Sequence, residues 1–179
     1  MRILMLASTL LLAAGCATTP SHAPREYLDE ETAATITIVG QPWVFNRQDA
    51  PPQLDFFKLY AVDVNRMGDH KQYLVVMQYW PDPRLPGAPS LSLRGQDREF
   101  ALEPIAENPR QIGVAQSLDK SAPASARSWF YPLDKATLQA IAQTRELSAV
   151  LVTGGVRAPY VVWSDGSEAL SEFATVAID

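Results

Sequence analysis

Cysteine is nearly missing: the chain of 179 residues has one, Cys16, so no disulfide can form within it. Histidine is almost as scarce. His22 and His70 are the only two, and imidazoles so few and so far apart do not suggest a nitrogen-ligated metal site. The acidic stretch Ser164-Asp165-Gly166-Ser167-Glu168 is too short to wrap calcium, so neither a metal nor a cofactor is expected. Positive charge is not in excess, with 15 Lys+Arg against 20 Asp+Glu. That balance disfavours nucleic acid and anionic headgroups as electrostatic partners, because both would repel the surface. Heptads, internal repeats and a G-x-S-x-G elbow are also lacking, and Gly154-Gly155 alone does not make a phosphate cradle.

Long apolar runs are missing as well, except for one at the start. Arg2 and the amino terminus precede Ile3 to Ala14, a run of about twelve mostly apolar residues in the pattern of a signal peptide. A helix of that length is roughly 18 Å long, too short for a hydrocarbon core of roughly 30 Å. It also shows almost no polar face, which argues against a core helix with a buried thiol. Cleavage after small residues, leaving a soluble periplasmic protein, is one outcome.

The residues Leu12-Ala13-Ala14-Gly15-Cys16 resemble the lipobox of bacterial lipoproteins, with small side chains just before the cysteine. Ala13 stands where that family usually has leucine, and Leu12 lies one place earlier. The resemblance implies cleavage between Gly15 and Cys16 and a diacylglyceryl thioether on Cys16, usually with a third acyl chain on the new amino terminus. Each buried methylene adds about 0.8 kcal/mol, so two or three chains hold a domain on a bilayer. The unpaired sulfur then has a use in a compartment that permits disulfides. Ala17, where the family's inner-membrane proteins tend to carry aspartate, implies the outer membrane, facing the periplasm.

Residues 1–15 contain Arg2 and no acid, so the remaining 164 residues carry 14 basic against 20 acidic groups, a formal balance of −6. That length suits one domain with a core large enough to fold without disulfides. Residues 16–32 are polar, contain Pro20 and Pro24 and lack periodicity, which reads as a lipidated tether. Residues 33–179 read as a single β-rich globular domain.

Within it, TITIV, WVF, FFKLYAVDV and YLVVMQYW are rich in β-branched and aromatic residues. The last two flank Asn65 to His70 and predict a hairpin, apolar on nearly every residue and therefore covered on both faces. After Trp80, four prolines in PDPRLPGAP predict a surface loop. Leu91 and Leu93, a turn at Gly95-Gln96-Asp97, then Phe100 and Leu102 predict a second hairpin. Asn108 to Ala126 has no readable pattern beyond one short strand. Asp134 predicts the cap of a helix with Leu138, Ile141 and Ala142 on one face. Asp165 and Glu168 have capping-box spacing ahead of a second helix presenting Leu170, Phe173 and Ala177. The expected fold is α+β, β-rich, an antiparallel sandwich or rolled sheet with two short helices near the C-terminus.

Catalytic groups are sparse. Asp63, Asp69 and His70 are close enough along the hairpin to meet but read as a solvated polar turn. A serine nucleophile would have to use His70. Trp43, Trp80, Trp129 and Trp163 fall within or at the ends of strands, where core packing accounts for them better than sugar stacking. The expectation is an outer-membrane lipoprotein whose domain is a non-catalytic binding or envelope-structural module, with no catalytic residue assigned. Its partners would be the membrane, through lipid at Cys16, and an envelope protein or peptidoglycan. The alternative is a lipid-anchored hydrolase acting on cell-wall glycan or peptide.

Overall fold

The structure is a computed structural model that describes residues 22–51, 54–79 and 87–178. The apolar run, Gly15, Cys16, Trp80 and the first prolines of the loop after it lie outside the described residues.

The strands are β1 (Arg25–Asp29), β2 (Ala34–Ile38), β3 (Trp43–Arg47), β4 (Phe56–Arg66), β5 (Asp69–Tyr79), β6 (Ser90–Arg94), β7 (Glu99–Leu102), β8 (Arg127–Leu133), β9 (Ser148–Thr153) and β10 (Val156–Ser164). The helices are α1 (Lys135–Ala142) and α2 (Ser167–Ile178). All ten described strands belong to one sheet, and every pairing is antiparallel.

The hairpin β4–β5 is its spine, paired without a break from Phe56↔Tyr79 to Arg66↔Asp69. Met67 and Gly68 make the turn with φ of 53° and 90°, the doubly left-handed geometry that matches strand twist. One edge of β4 is shared, by β3 along Phe56–Leu59 and by β2 along Val62–Asn65. Beyond β3 the sheet runs on through β10, β9, β6 and β7, while β8 pairs with the far edge of β5. Past β7 the chain reaches back to β8, where Ile105 N–H donates to Phe130 O (2.8 Å) and Phe130 N–H to Ala106 O (3.0 Å). The rolled form is thus the one observed, a single sheet curled into a half-barrel.

Cross-strand partners share a face, so the register sorts the side chains. The concave face carries Phe45, Phe57, Leu74, Trp129, Tyr131 and Tyr160, all buried. Phe57 stacks on Phe45 and meets Tyr160 edge-on, each at a centroid separation of 4.9 Å. Buried Leu138 and Ile141 of α1 and Leu170, Phe173 and Ala177 of α2 complete this core. The convex face of β4–β5 is just as apolar, with Tyr60, Val62, Val64, Val75 and Met77. It is covered by the segment between β7 and β8, through Ala106, Ile112, Val114 and Leu118.

Three expectations change in detail. Residues 25–29 of the expected 16–32 tether are strand β1, with Tyr27 packed on the core and Asp29 buried, so the folded unit starts before residue 33. Asp29 accepts from Ala115 N–H at 2.6 Å, a bond to a segment 86 residues away that no local pattern announces. The expected short strand in 108–126 is a single 3-10 turn, Pro109–Ile112, capped by Asn108. The spacing of Asp165 and Glu168 does not produce a reciprocal capping box. Asp165 Oδ1 accepts from Ser167 N–H and Trp43 Nε1–H, while Glu168 lies 3.8 Å from His22. Asp134 caps α1 as expected, accepting from Thr137 N–H at 2.6 Å.

Candidate functional site

The hairpin brings together two of the three residues singled out there. Asp63 lies on β4 and is only 2 % exposed, so it is a buried strand residue and not part of a solvated turn. Its Oδ2 is 2.8 Å from His70 Nδ1, and its Oδ1 accepts from Gln72 Nε2 at 2.7 Å. Gln72 also reaches the carbonyl of Ala177 at 3.4 Å, which ties α2 to the hairpin. Asp69 stands apart, exposed, with Lys71 at 3.6 Å. Among the described residues no hydroxyl is hydrogen-bonded to the His70 ring.

The largest described cavity, about 850 Å³, opens where β1 and β4 meet the segment at 116–121. That volume falls within the range of small-molecule sites. Tyr27, Ile38, Pro42 and Tyr60 give it apolar walls, and Arg25 and Lys120 are among its charged groups. At its base sits Asp119, whose Oδ2 accepts from Lys58 Nζ (2.8 Å), Tyr60 O–H (2.8 Å) and Tyr79 O–H (2.9 Å). Its Oδ1 accepts from the backbone N–H and the hydroxyl of Ser121. Burial disfavours the charged carboxylate, but the bonds from Lys58, Ser121 and Tyr60 outweigh it and hold Asp119 well below the usual carboxylate range. The same contact works in reverse on Tyr60: burial first, then the bond to Asp119, raises its hydroxyl far above the ordinary phenol value. Lys58 lies 5.2 Å from the centroid of the Tyr79 ring, an added cation–π contact.

Sequence reasoning missed this cluster. A signal existed in FFKLY, where Lys58 interrupts a strand expected to be covered on both faces and so needs a buried acid as partner. Which acid could not be read, because Asp119 comes from a segment without periodicity.

A second polar group lies at the concave face, where Tyr160 O–H donates to Asp55 Oδ1 (2.8 Å) and Arg47 reaches Asp49 and Asp55 at 2.7 and 3.1 Å. The space there, about 30 Å³ and lined by Trp129 and Gln78 among others, has room for one or two waters. These contacts fasten strand ends.

The tryptophans divide. Trp43 and Trp129 are buried as expected, and Trp80 is outside the described residues. Trp163 contradicts the core expectation at 61 % exposed. The ladder between β10 and β3 slips between Val162 and Ser164, leaving Trp163 as the extra residue of a bulge. Alternation along this strand, with Tyr160 buried and Val161 exposed, puts Trp163 outward, a signal that the sequence carried and the core reading did not use.

Among the described residues no three His, Cys, Asp or Glu side chains converge as metal ligands, and no helix is long and apolar enough to cross a membrane. Comparison with known proteins returned no matching family model, no matching curated protein and no matching solved structure.

Proposed function

We propose that this chain is an outer-membrane lipoprotein, anchored through acylated Cys16, whose half-barrel is a periplasm-facing, non-catalytic binding or structural module. The observation that carries the non-catalytic part is the state of Asp119, the acid at the base of the largest described cavity. Five donors saturate it and lower its pKa, so at neutral pH it has neither a proton to give nor a free lone pair well placed to take one. The cavity around it offers what recognition requires, apolar walls with a few charged groups at the rim. Its occupant on this reading is a segment of an envelope protein or a peptidoglycan fragment.

The anchoring part rests on residues 12–16 and is tested in a Gram-negative host expressing the full chain. A palmitate analogue should label the wild type and fail to label Cys16→Ala, and only the wild type should fractionate with outer membranes. Equal labelling, or wild type wholly in the soluble periplasmic fraction, contradicts it.

A lipid-anchored hydrolase is the second reading, and the observation in its favour is the buried Asp63 oriented on His70 Nδ1, as a carboxylate orients a general base. The discriminating assay incubates purified sacculi and peptides with wild type and His70→Gln. The binding reading predicts no turnover by either protein, and turnover that the substitution abolishes establishes the hydrolase.

A further inference from the structure

We infer that Trp163 is a second membrane contact, an indole seated at the headgroup layer that fixes how the anchored domain faces the bilayer. The inference rests on the lipoprotein reading and adds to it a surface and an occupant.

Three observations converge on this position. First, Trp163 is the bulged residue of β10 and is 61 % exposed, and Val161, two residues before it on the same outward side, is 45 % exposed. Alternation along β10, with Tyr160 turned in and Val161 turned out, places on the outer side a residue type that is buried at Trp43 and Trp129.

Second, the strand end that presents it is firmly held. Asp165, two residues on, accepts from Trp43 Nε1–H (2.9 Å) through its carboxylate and from Gln41 Nε2–H (3.3 Å) through its carbonyl.

Third, the chain coming from Cys16 arrives at this same end. His22 Nε2 is 3.8 Å from Glu168 in the first turn of α2. The backbone of His22 and Ala23 lies so close on Gly40 that a Cβ there would collide with the carbonyl of Ala23. Six residue steps separate Cys16 from His22, at most about 20 Å of extended chain. Five steps separate Trp163 from Glu168, at most about 17 Å. An acylated Cys16 would therefore tether the bilayer to the end of the domain at which β10 passes into α2.

The bilayer suits this patch better than a charged partner. An indole has an apolar body and one N–H donor and concentrates at membrane interfaces. Charge cannot supply the contact, since the chain from Cys16 onward is formally −6 and Glu168 lies at this end of the molecule. Two or three acyl chains already provide attachment, so the tryptophan governs orientation and not partition.

The test uses the native full-length lipoprotein, with Cys16 acylation checked by mass spectrometry, in phosphatidylethanolamine–phosphatidylglycerol vesicles containing brominated phosphatidylcholine. Wild type should show a bromine-quenched emission component that Trp163→Phe removes, with both proteins equally vesicle-bound and equal in thermal midpoint. A photocrosslinking amino acid at position 163 should give a lipid adduct in cells. Equal quenching of wild type and Trp163→Phe, or a protein adduct in place of lipid, overturns the inference while leaving the anchor standing. An unmodified Cys16 overturns both.

Discussion

Asp119 sets the balance of forces at the scale of single residues. Its removal takes away the shared acceptor of the Lys58 ammonium and the Tyr60 and Tyr79 hydroxyls at the convex face of the sheet. Losing the acceptor of a largely buried pair costs more than the pair contributes net, so Asp119→Ala should lose about 2–4 kcal/mol in urea unfolding. The sign of its pH dependence follows from the shift. In the unfolded chain the carboxyl titrates near 3.8, and in the folded chain it titrates lower, so its stabilisation is complete above about pH 5 and is lost progressively as pH falls below that. The stability gap between wild type and Asp119→Ala should therefore narrow from about pH 5 toward pH 2. A gap independent of pH over that interval would mean the carboxylate is not held as described.

Residues like these explain what was legible. Lys58 was passed over as one charge within an apolar strand, whereas Leu91, Leu93, Phe100 and Leu102 gave a hairpin by alternation, and Leu91↔Leu102 and Leu93↔Phe100 are its pairs. Asp134 identified its helix because a cap is a local bond, completed within three residues. Asp29 and Asp119 were opaque because a bond across 86 residues and one across 61 have no local signature, whereas Trp163 follows the alternation of its own strand and was misplaced only by treating a strand aromatic as core.

Among the elements, the β4–β5 hairpin carries both cores, and its turn holds a non-glycine residue in the left-handed region. Met67 takes φ of 53° while fully exposed at the tip, a conformation that asparagine adopts at lower cost. Met67→Asn should raise stability by about 0.5–1 kcal/mol without changing the far-ultraviolet spectrum. At the other end of the hairpin Phe57 stacks on Phe45 and is fully buried, so Phe57→Ala should cost about 3–5 kcal/mol. Strand β1 is the element the sequence hid. REYLD carries three charged residues in five and sits on the edge of the sheet, where polar composition is normal and periodicity weak.

For the whole molecule, β1 decides where the domain begins and how far it can stand from a membrane. Deleting residues 17–21 should leave the thermal transition unchanged. Deleting 17–31 should expose the edge of β2 and the buried Ala34, Ile36 and Ile38, giving an aggregating product without a cooperative transition. With β1 folded, only six residue steps separate Cys16 from His22, so under the proposed anchoring at Cys16 the half-barrel would stand close to the bilayer. The most direct measurement is intact-mass and N-terminal peptide analysis of the protein extracted from native envelopes. The account predicts a chain that begins at Cys16, heavier by a diacylglyceryl group on sulfur. A chain that still carries residues 1–15, or that begins at Cys16 or beyond without lipid, contradicts it.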